Sequence, residues 1–132
     1  MTTETTQNAS DSVILDSSGW LEYLTADTKA DLFAPYFEGH RPILVPAIVL
    51  YEVRKVLLLR QTKDVTDIFM SEALRRTIIP IDEGIALSAA AVSIQFRLAM
   101  GDALLYATSE REKTEFVTSD PHFKDLPRVT LL

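Results

Sequence analysis

Short, wholly apolar runs alternate along this chain with longer stretches in which apolar and polar residues mix. The run Val-Ile-Leu at 13–15 stops at Asp16, which is typical of a buried strand that leads into a turn, here at 16–19. Between such runs, apolar residues recur at helical spacing, as at Val49, Val53 and Val56. The remaining predicted strands are 43–45, 77–81, 115–118 and 129–132, and the predicted helices are 20–24, 27–37, 47–61, 64–76, 82–97 and 100–113.

Strands that alternate with helices predict an α/β domain, a parallel sheet with helices on both of its faces. Pro80 in the third run indicates a strand near a sheet edge. We expect one domain over residues 13–132 and a flexible polar lead-in over residues 1–12. Because the lead-in has two acids and no basic residue, it does not resemble a signal peptide.

Composition excludes several classes of site. The chain of 132 residues has no cysteine, which rules out disulfides, a thiolate zinc site and a cysteine nucleophile, and fits a reducing cytoplasm. No apolar run reaches the roughly 18 to 20 residues that span a bilayer, so no membrane is expected. The net charge of −6 argues by itself against a nucleic-acid partner. Candidates for a local basic patch are Arg54, Lys55, Arg60, Arg75 and Arg76, although solvated helix faces explain them equally well.

Two acids follow predicted strands. Asp16 follows the first strand and Asp120 the fourth, so both belong to the carboxyl edge of a parallel sheet, where ligands collect. If those strands are neighbours, the two carboxylates meet. A simpler interpretation makes Asp16 a turn or N-cap residue and Asp120 part of a turn with Pro121.

Two further acids stand among apolar neighbours. Glu52 lies within the apolar stripe of its helix, where burial without a partner is unfavourable, although pairing with Arg54 or Lys55 is an alternative. Asp102 begins a helix and is followed by Ala-Leu-Leu, and it could simply be an N-cap. Carboxylates that are brought together repel one another, and a divalent cation relieves that repulsion. Oxygen-only ligands favour Mg²⁺ or Mn²⁺.

Four segments in this order resemble the PIN-domain family, and in size the VapC-type toxins of type II toxin–antitoxin modules. They are Val-Ile-Leu-Asp-Ser-Ser at 13–18, the segment from Pro46 to Val53, Gly-Asp-Ala-Leu-Leu-Tyr-Ala at 101–107, and Val-Thr-Ser-Asp-Pro-His-Phe at 117–123. The resemblance implies a three-layer fold with a central five-stranded parallel sheet flanked by helices. It also implies Mg²⁺- or Mn²⁺-dependent hydrolysis of RNA that leaves a 5′-phosphate.

The resemblance assigns roles by position. Asp16, Glu52, Asp102 and Asp120 match the family's acidic quartet, and the three aspartates would be the metal ligands. Ser18 matches a small polar position that supports the first acid, and Thr118 matches a hydroxyl position near the fourth acid. A homodimer, a cognate antitoxin that inserts a segment near the site, a structured RNA substrate and a cytoplasmic location are also implied.

The chain departs from the family pattern at Gly101, where a residue with less backbone freedom is expected before the acid. His122 could face the site, but histidines of this kind are more often surface residues. Two enzyme classes fit less well. A haloacid-dehalogenase-type phosphatase needs an acid where Ser18 stands, and a response-regulator receiver needs an acid pair and a late lysine that are not in place. A catalytically silent PIN-like module that binds RNA or protein is the third alternative.

Overall fold

The structure is a computed structural model and describes residues 11–132. The expected lead-in at 1–12 lies outside the described residues except for its last two. Ser12 is buried, and the Arg41 guanidinium donates hydrogen bonds to the backbone carbonyls of Asp11 and Ser12 at 2.9 and 3.4 Å. The folded domain therefore includes these two residues.

The predicted alternation of strands and helices is confirmed. The strands are β1 Val13–Leu15, β2 Leu44–Pro46, β3 Thr77–Ile79, β4 Glu115–Thr118 and β5 Val129–Leu131. The helices are α1 Ser17–Leu24, α2 Ala30–Phe37, α3 Ala47–Arg60, α4 Lys63–Leu74, α5 Glu83–Phe96 and α6 Met100–Glu112, and a short 3-10 helix covers Pro121–Phe123.

All strand pairs in the described residues are parallel, but the hydrogen-bonded ladder is not one sheet of five strands. One ladder has the order β1-β4-β5 and the other pairs β2 with β3. A single bridge between Val13 and Ile43 joins them, just before β2 begins at Leu44. The prediction of a continuous five-stranded sheet is thus corrected. Strands of three residues offer few pairing positions, so a small divergence between β1 and β2 is enough to end the ladder.

Two helices begin where the sequence did not predict. Helix α1 starts at Ser17, within the predicted turn, because the Asp16 side chain accepts a hydrogen bond from the Gly19 backbone and caps the helix. Helix α2 starts at Ala30 rather than at Asp27, whose carboxylate instead binds the backbone and hydroxyl of Thr28. The first correction matters most, because it places Ser17 and Ser18 on a helix that faces the strand ends.

The core lies between the ladders and the helices. Every residue of β1 is fully buried, and so are the large side chains Trp20, Phe33, Phe69 and Phe116. No single helix among residues 11–132 is long and apolar enough to cross a bilayer, and α5 with α6 reaches that length only as a pair bent by 112°.

Candidate active site

Asp16 and Asp120 lie side by side because β1 and β4 are parallel neighbours. In the ladder Leu15 is level with Val117, and the Asp16 backbone donates a hydrogen bond to the Val117 carbonyl at 3.3 Å. Both acids therefore leave the sheet at the same carboxyl edge. The strand adjacency that the sequence could only assume is present.

Asp16 is 4% exposed and is held by neutral donors on three sides. Its Oδ1 accepts the Gly19 N–H at 2.8 Å, and its Oδ2 accepts the hydroxyls of Ser18, at 2.9 Å, and of Thr118. Burial raises the pKa of Asp16, and these three hydrogen bonds oppose that rise. Asp16 is at once the N-cap of α1 and a wall of the site, so the simple interpretation and the functional one are compatible.

Thr118 connects the two strand-end acids. Its hydroxyl donates to Asp16 and accepts the Asp120 N–H at 2.9 Å. Asp120 Oδ1 then accepts the His122 N–H at 2.9 Å and lies 2.7 Å from His122 Nδ1. The predicted auxiliary position thus orients the first acid directly and the fourth through its backbone.

Glu52 reaches the same edge from the middle of α3. Its Oε1 accepts the Ser17 hydroxyl at 2.6 Å. Lys55 lies instead at the Tyr51 hydroxyl, 3.4 Å away, and within residues 11–132 neither Arg54 nor Lys55 forms an ion pair with Glu52. The alternative that Glu52 pairs with a basic residue of its own helix is therefore wrong.

Asp102 is the least compensated acid of the four. It lies in the first turn of α6, where Ala99 and not Asp102 is the N-cap. Within residues 11–132 no group donates a hydrogen bond to its half-buried carboxylate. Burial raises the pKa of Asp102 to about 6, and the charges of Asp120, Glu52 and Asp16 contribute to the rise in that order.

All four acids line the same cavity. Its volume is about 210 Å³, and the carboxylate-bearing residues that line it are Asp16, Glu52, Asp102 and Asp120. A second cavity of about 300 Å³ shares Ser18, Leu21 and Val56 with it, and its lining includes Arg60. Of the candidate basic residues, Arg75 and Arg76 both pair with Glu72, which leaves a smaller patch than the sequence allowed.

The donor set fits a hard divalent cation. All four groups offer carboxylate oxygens, and no lysine or arginine of residues 11–132 forms an ion pair with them. In the described part of the chain, no three His, Asp or Glu side chains stand in the arrangement of a ready-made metal cage. Carboxylates that repel without a counter-ion need not converge, so a cation would have to draw them inward.

The sequence did not reveal the roles of two residues in this site. Ser17 was interpreted as a turn former, yet its hydroxyl binds Glu52, 35 positions along the chain. Gly101 stood out only as a departure, yet its backbone lies against the Glu52 carboxylate. Both roles depend on how α1, α3 and α6 pack, which local pattern does not encode.

Solved structures with similar folds include a toxin–antitoxin complex and a toxin. A toxin–antitoxin complex from Klebsiella pneumoniae matches with a TM-score of 0.75 and 20% identity, over 89% of this chain and 95% of that one. VapBC2 from Rickettsia felis, bound to a promoter DNA fragment, matches with a TM-score of 0.70 and 16% identity, over 92% and 97% of the two chains. VapC20 from Mycobacterium tuberculosis, described as a sarcin–ricin loop cleaving toxin, matches with a TM-score of 0.69 and 13% identity, over 81% and 87%.

Sequence comparison gives the family directly. No curated protein matches the chain significantly. The family model described as PIN domain matches residues 13–129, nearly the whole of the domain and all four site acids. The chain belongs to the PIN domain family.

Proposed function

We propose that this chain is a Mg²⁺- or Mn²⁺-dependent ribonuclease and the toxin of a VapC-type toxin–antitoxin pair. The observation that carries the proposal is the cavity lined by four carboxylates, with which no lysine or arginine of residues 11–132 forms an ion pair. A site of this composition suits the hydrolysis of phosphodiesters, in which negative charge develops on phosphoryl oxygens and must be neutralised.

The aspartates are the proposed cation ligands. Asp16 is preorganised by its three donors, Asp120 by its contacts with Thr118 and His122, and Asp102 offers a carboxylate with no competing hydrogen bond in the described residues. A divalent cation held there would supply Lewis acidity and would lower the pKa of a nearby water.

Glu52 is the proposed proton acceptor for the attacking water. Since its Oε1 already accepts the Ser17 hydroxyl, Oε2 is the oxygen left to receive a proton. The water oxygen gives a proton to Glu52 and forms a bond to phosphorus, while the bond from phosphorus to the 3′-oxygen breaks. The leaving 3′-oxygen takes up a proton from solvent and Glu52 releases its proton to solvent, so the products are a 5′-phosphate and a 3′-hydroxyl. Ser17 then holds the acceptor in place rather than acting on substrate itself.

A cognate antitoxin is the proposed protein partner. The solved relatives from Klebsiella pneumoniae and Rickettsia felis are complexes of a toxin with its antitoxin. On this chain the acidic cavity shares apolar Leu21 with the second cavity, whose lining includes the acids Glu22 and Asp27 and one basic residue, Arg60. Such a surface complements a segment that carries both basic and apolar side chains.

The proposed oligomer is a homodimer formed through α5 and α6. Residues 84–96 contain no charged side chain, and Leu87 and Ile94, seven positions apart, are 74% and 82% exposed. Beside this ridge runs an apolar groove of about 410 Å³, and half of the residues that line it are alanines. A two-fold axis would place the ridge of each copy in the groove of the other.

A ribonuclease of this kind would act in the cytoplasm, on a structured RNA.

The test is to map new RNA ends after incubation of total bacterial RNA with purified protein and Mn²⁺. We expect new 5′-phosphate ends at a few sites, and their loss in EDTA. Asp16→Asn is the matched control, because the amide keeps the size of the side chain but lacks the charge. Cleavage that persists in the variant would contradict the site, and folded wild-type protein that yields no new ends would favour a silent binding module.

A further inference from the structure

The Glu52 carboxylate is enclosed by the first turns of two other helices. Its Oε1 accepts the hydroxyl of Ser17, the first residue of α1, at 2.6 Å. Its Oε2 faces Gly101, the second residue of α6. An acid on α3 is thus fixed by the ends of α1 and α6, and the same α6 turn carries Asp102.

Gly101 is needed for space and not for backbone freedom. No glycine in the described residues has a positive φ, so Gly101 adopts an ordinary helical conformation. Within a helix, glycine is a poorer residue than alanine. A Cβ at this position would lie 2.6 Å from Glu52 Oε2 and 3.6 Å from Glu52 Cδ, and real Cβ contacts essentially never fall below 3.0 Å. The close approach of Glu52 therefore accounts for the glycine.

We propose that Gly101 and Ser17 are positioning residues that fix the Glu52 carboxylate beside Asp102 for the reaction, an inference that rests on the proposed nuclease function. The atom that a new Cβ would meet is the far end of a flexible side chain, so the chain can fold with an alanine at 101. The consequence is that Glu52 swings away from its place in the site. The loss is one of catalysis and not of folding.

The experiment compares Gly101→Ala with Gly84→Ala. Gly84 is also the second residue of a helix, α5, and its added Cβ would lie 3.5 Å from Asp82 Oδ1, an ordinary contact. With Mn²⁺ and an RNA cleaved by the wild type, we expect Gly84→Ala to keep full kcat. Gly101→Ala should lose on the order of 10- to 100-fold in kcat with KM nearly unchanged. Equal kcat for the two variants would overturn the proposal.

Ser17 supplies the second arm of the test. Ser17→Ala should lower kcat in the same way as Gly101→Ala, and Ser17→Thr, which retains a hydroxyl, should restore most of it. If Ser17→Thr is as slow as Ser17→Ala while both remain folded, the hydroxyl does not position Glu52 and that half of the proposal fails.

Melting temperatures of single and double variants test the contact between Gly101 and Glu52 independently of the proposed nuclease function. Glu52→Ala removes the carboxylate that crowds position 101, so Gly101→Ala should raise the melting temperature more in that background than in the wild type. Gly84→Ala should raise it equally in both. If the wild type cleaves no RNA, the proposed function fails and the melting temperatures alone decide. Equal gains from Gly101→Ala in both backgrounds would overturn the enclosure of Glu52.

Discussion

At the scale of single residues, the sequence predicted that four acids come together, and the structure places them around one cavity, but the sequence did not show which groups hold them. The positions of Asp16 and Asp120 follow from strand ends, a feature that local pattern reveals. Ser18 and Thr118 were assigned by resemblance, and the structure places both hydroxyls on Asp16. Ser17 escaped notice because a serine after a strand is usually a turn residue, and only tertiary packing brings it to Glu52.

The raised pKa of Asp102 makes the stability of the metal-free protein depend on pH. The native carboxyl has a pKa of about 6 against 3.8 for the unperturbed group. Between pH 4 and pH 6 the native state holds a proton that the unfolded chain has lost, so the free energy of unfolding falls as pH rises through that window. After allowance for the half-exposed position, we expect a loss of roughly 1 to 2 kcal/mol.

Asp102→Asn removes that titration. In EDTA the variant should be more stable than the wild type by about 1 to 2 kcal/mol at pH 7.5, and the difference should vanish as pH falls toward 4. Urea unfolding followed by circular dichroism at several pH values measures it. If the free energies of unfolding of the two proteins change with pH in the same way, the pKa of Asp102 is not raised. If the variant does not fold, Asp102 has a structural role.

At the scale of elements, helix periodicity and capping residues predicted most bounds to within a residue or two. The start of α6 at Met100 was predicted, and the start of α5 at Glu83 was predicted to within one residue. The start of α1 was not, because Ser-Ser-Gly after Asp16 has the composition of a turn. The Asp16 side chain makes it a helix by accepting the Gly19 N–H as the N-cap, and Gly19 also packs closely against Phe33, 14 positions along the chain.

Gly19→Ala tests that packing. A Cβ at position 19 would lie 2.7 Å from the Phe33 ring and 3.2 Å from Asp16 Oδ1. Phe33 is fully buried and cannot swing away as the end of a surface side chain can. Overpacking of this kind costs roughly 1 to 3 kcal/mol, whereas Gly84→Ala should be neutral or stabilising. Chemical denaturation of both variants gives the comparison, and equal stabilities would refute the contact.

At the scale of the whole molecule, the pairing of β1 with β4 could only be assumed from the sequence, but the α/β class was predictable from the order of strands and helices. The continuous five-stranded sheet was not, because whether neighbouring three-residue strands complete a ladder depends on divergence that no local pattern encodes. The sequence also does not show that Glu52 and Gly101, which lie 49 positions apart, are in contact in the fold. Long-range contacts of this kind are seen only in the three-dimensional structure.

The exposed face of α5 and α6 is the proposed dimer interface. Ile94 is 82% exposed within residues 84–96, which contain no charged side chain, so a glutamate there should leave the monomer fold intact. Across a two-fold interface the change would place two charges in an apolar contact, and each would be desolvated. We expect the wild type to sediment at twice the 14.8 kDa monomer mass and Ile94→Glu to sediment as a monomer. Leu32→Glu on α2, also at an exposed apolar position, should remain dimeric, and identical sedimentation of the two variants would exclude this face as the interface.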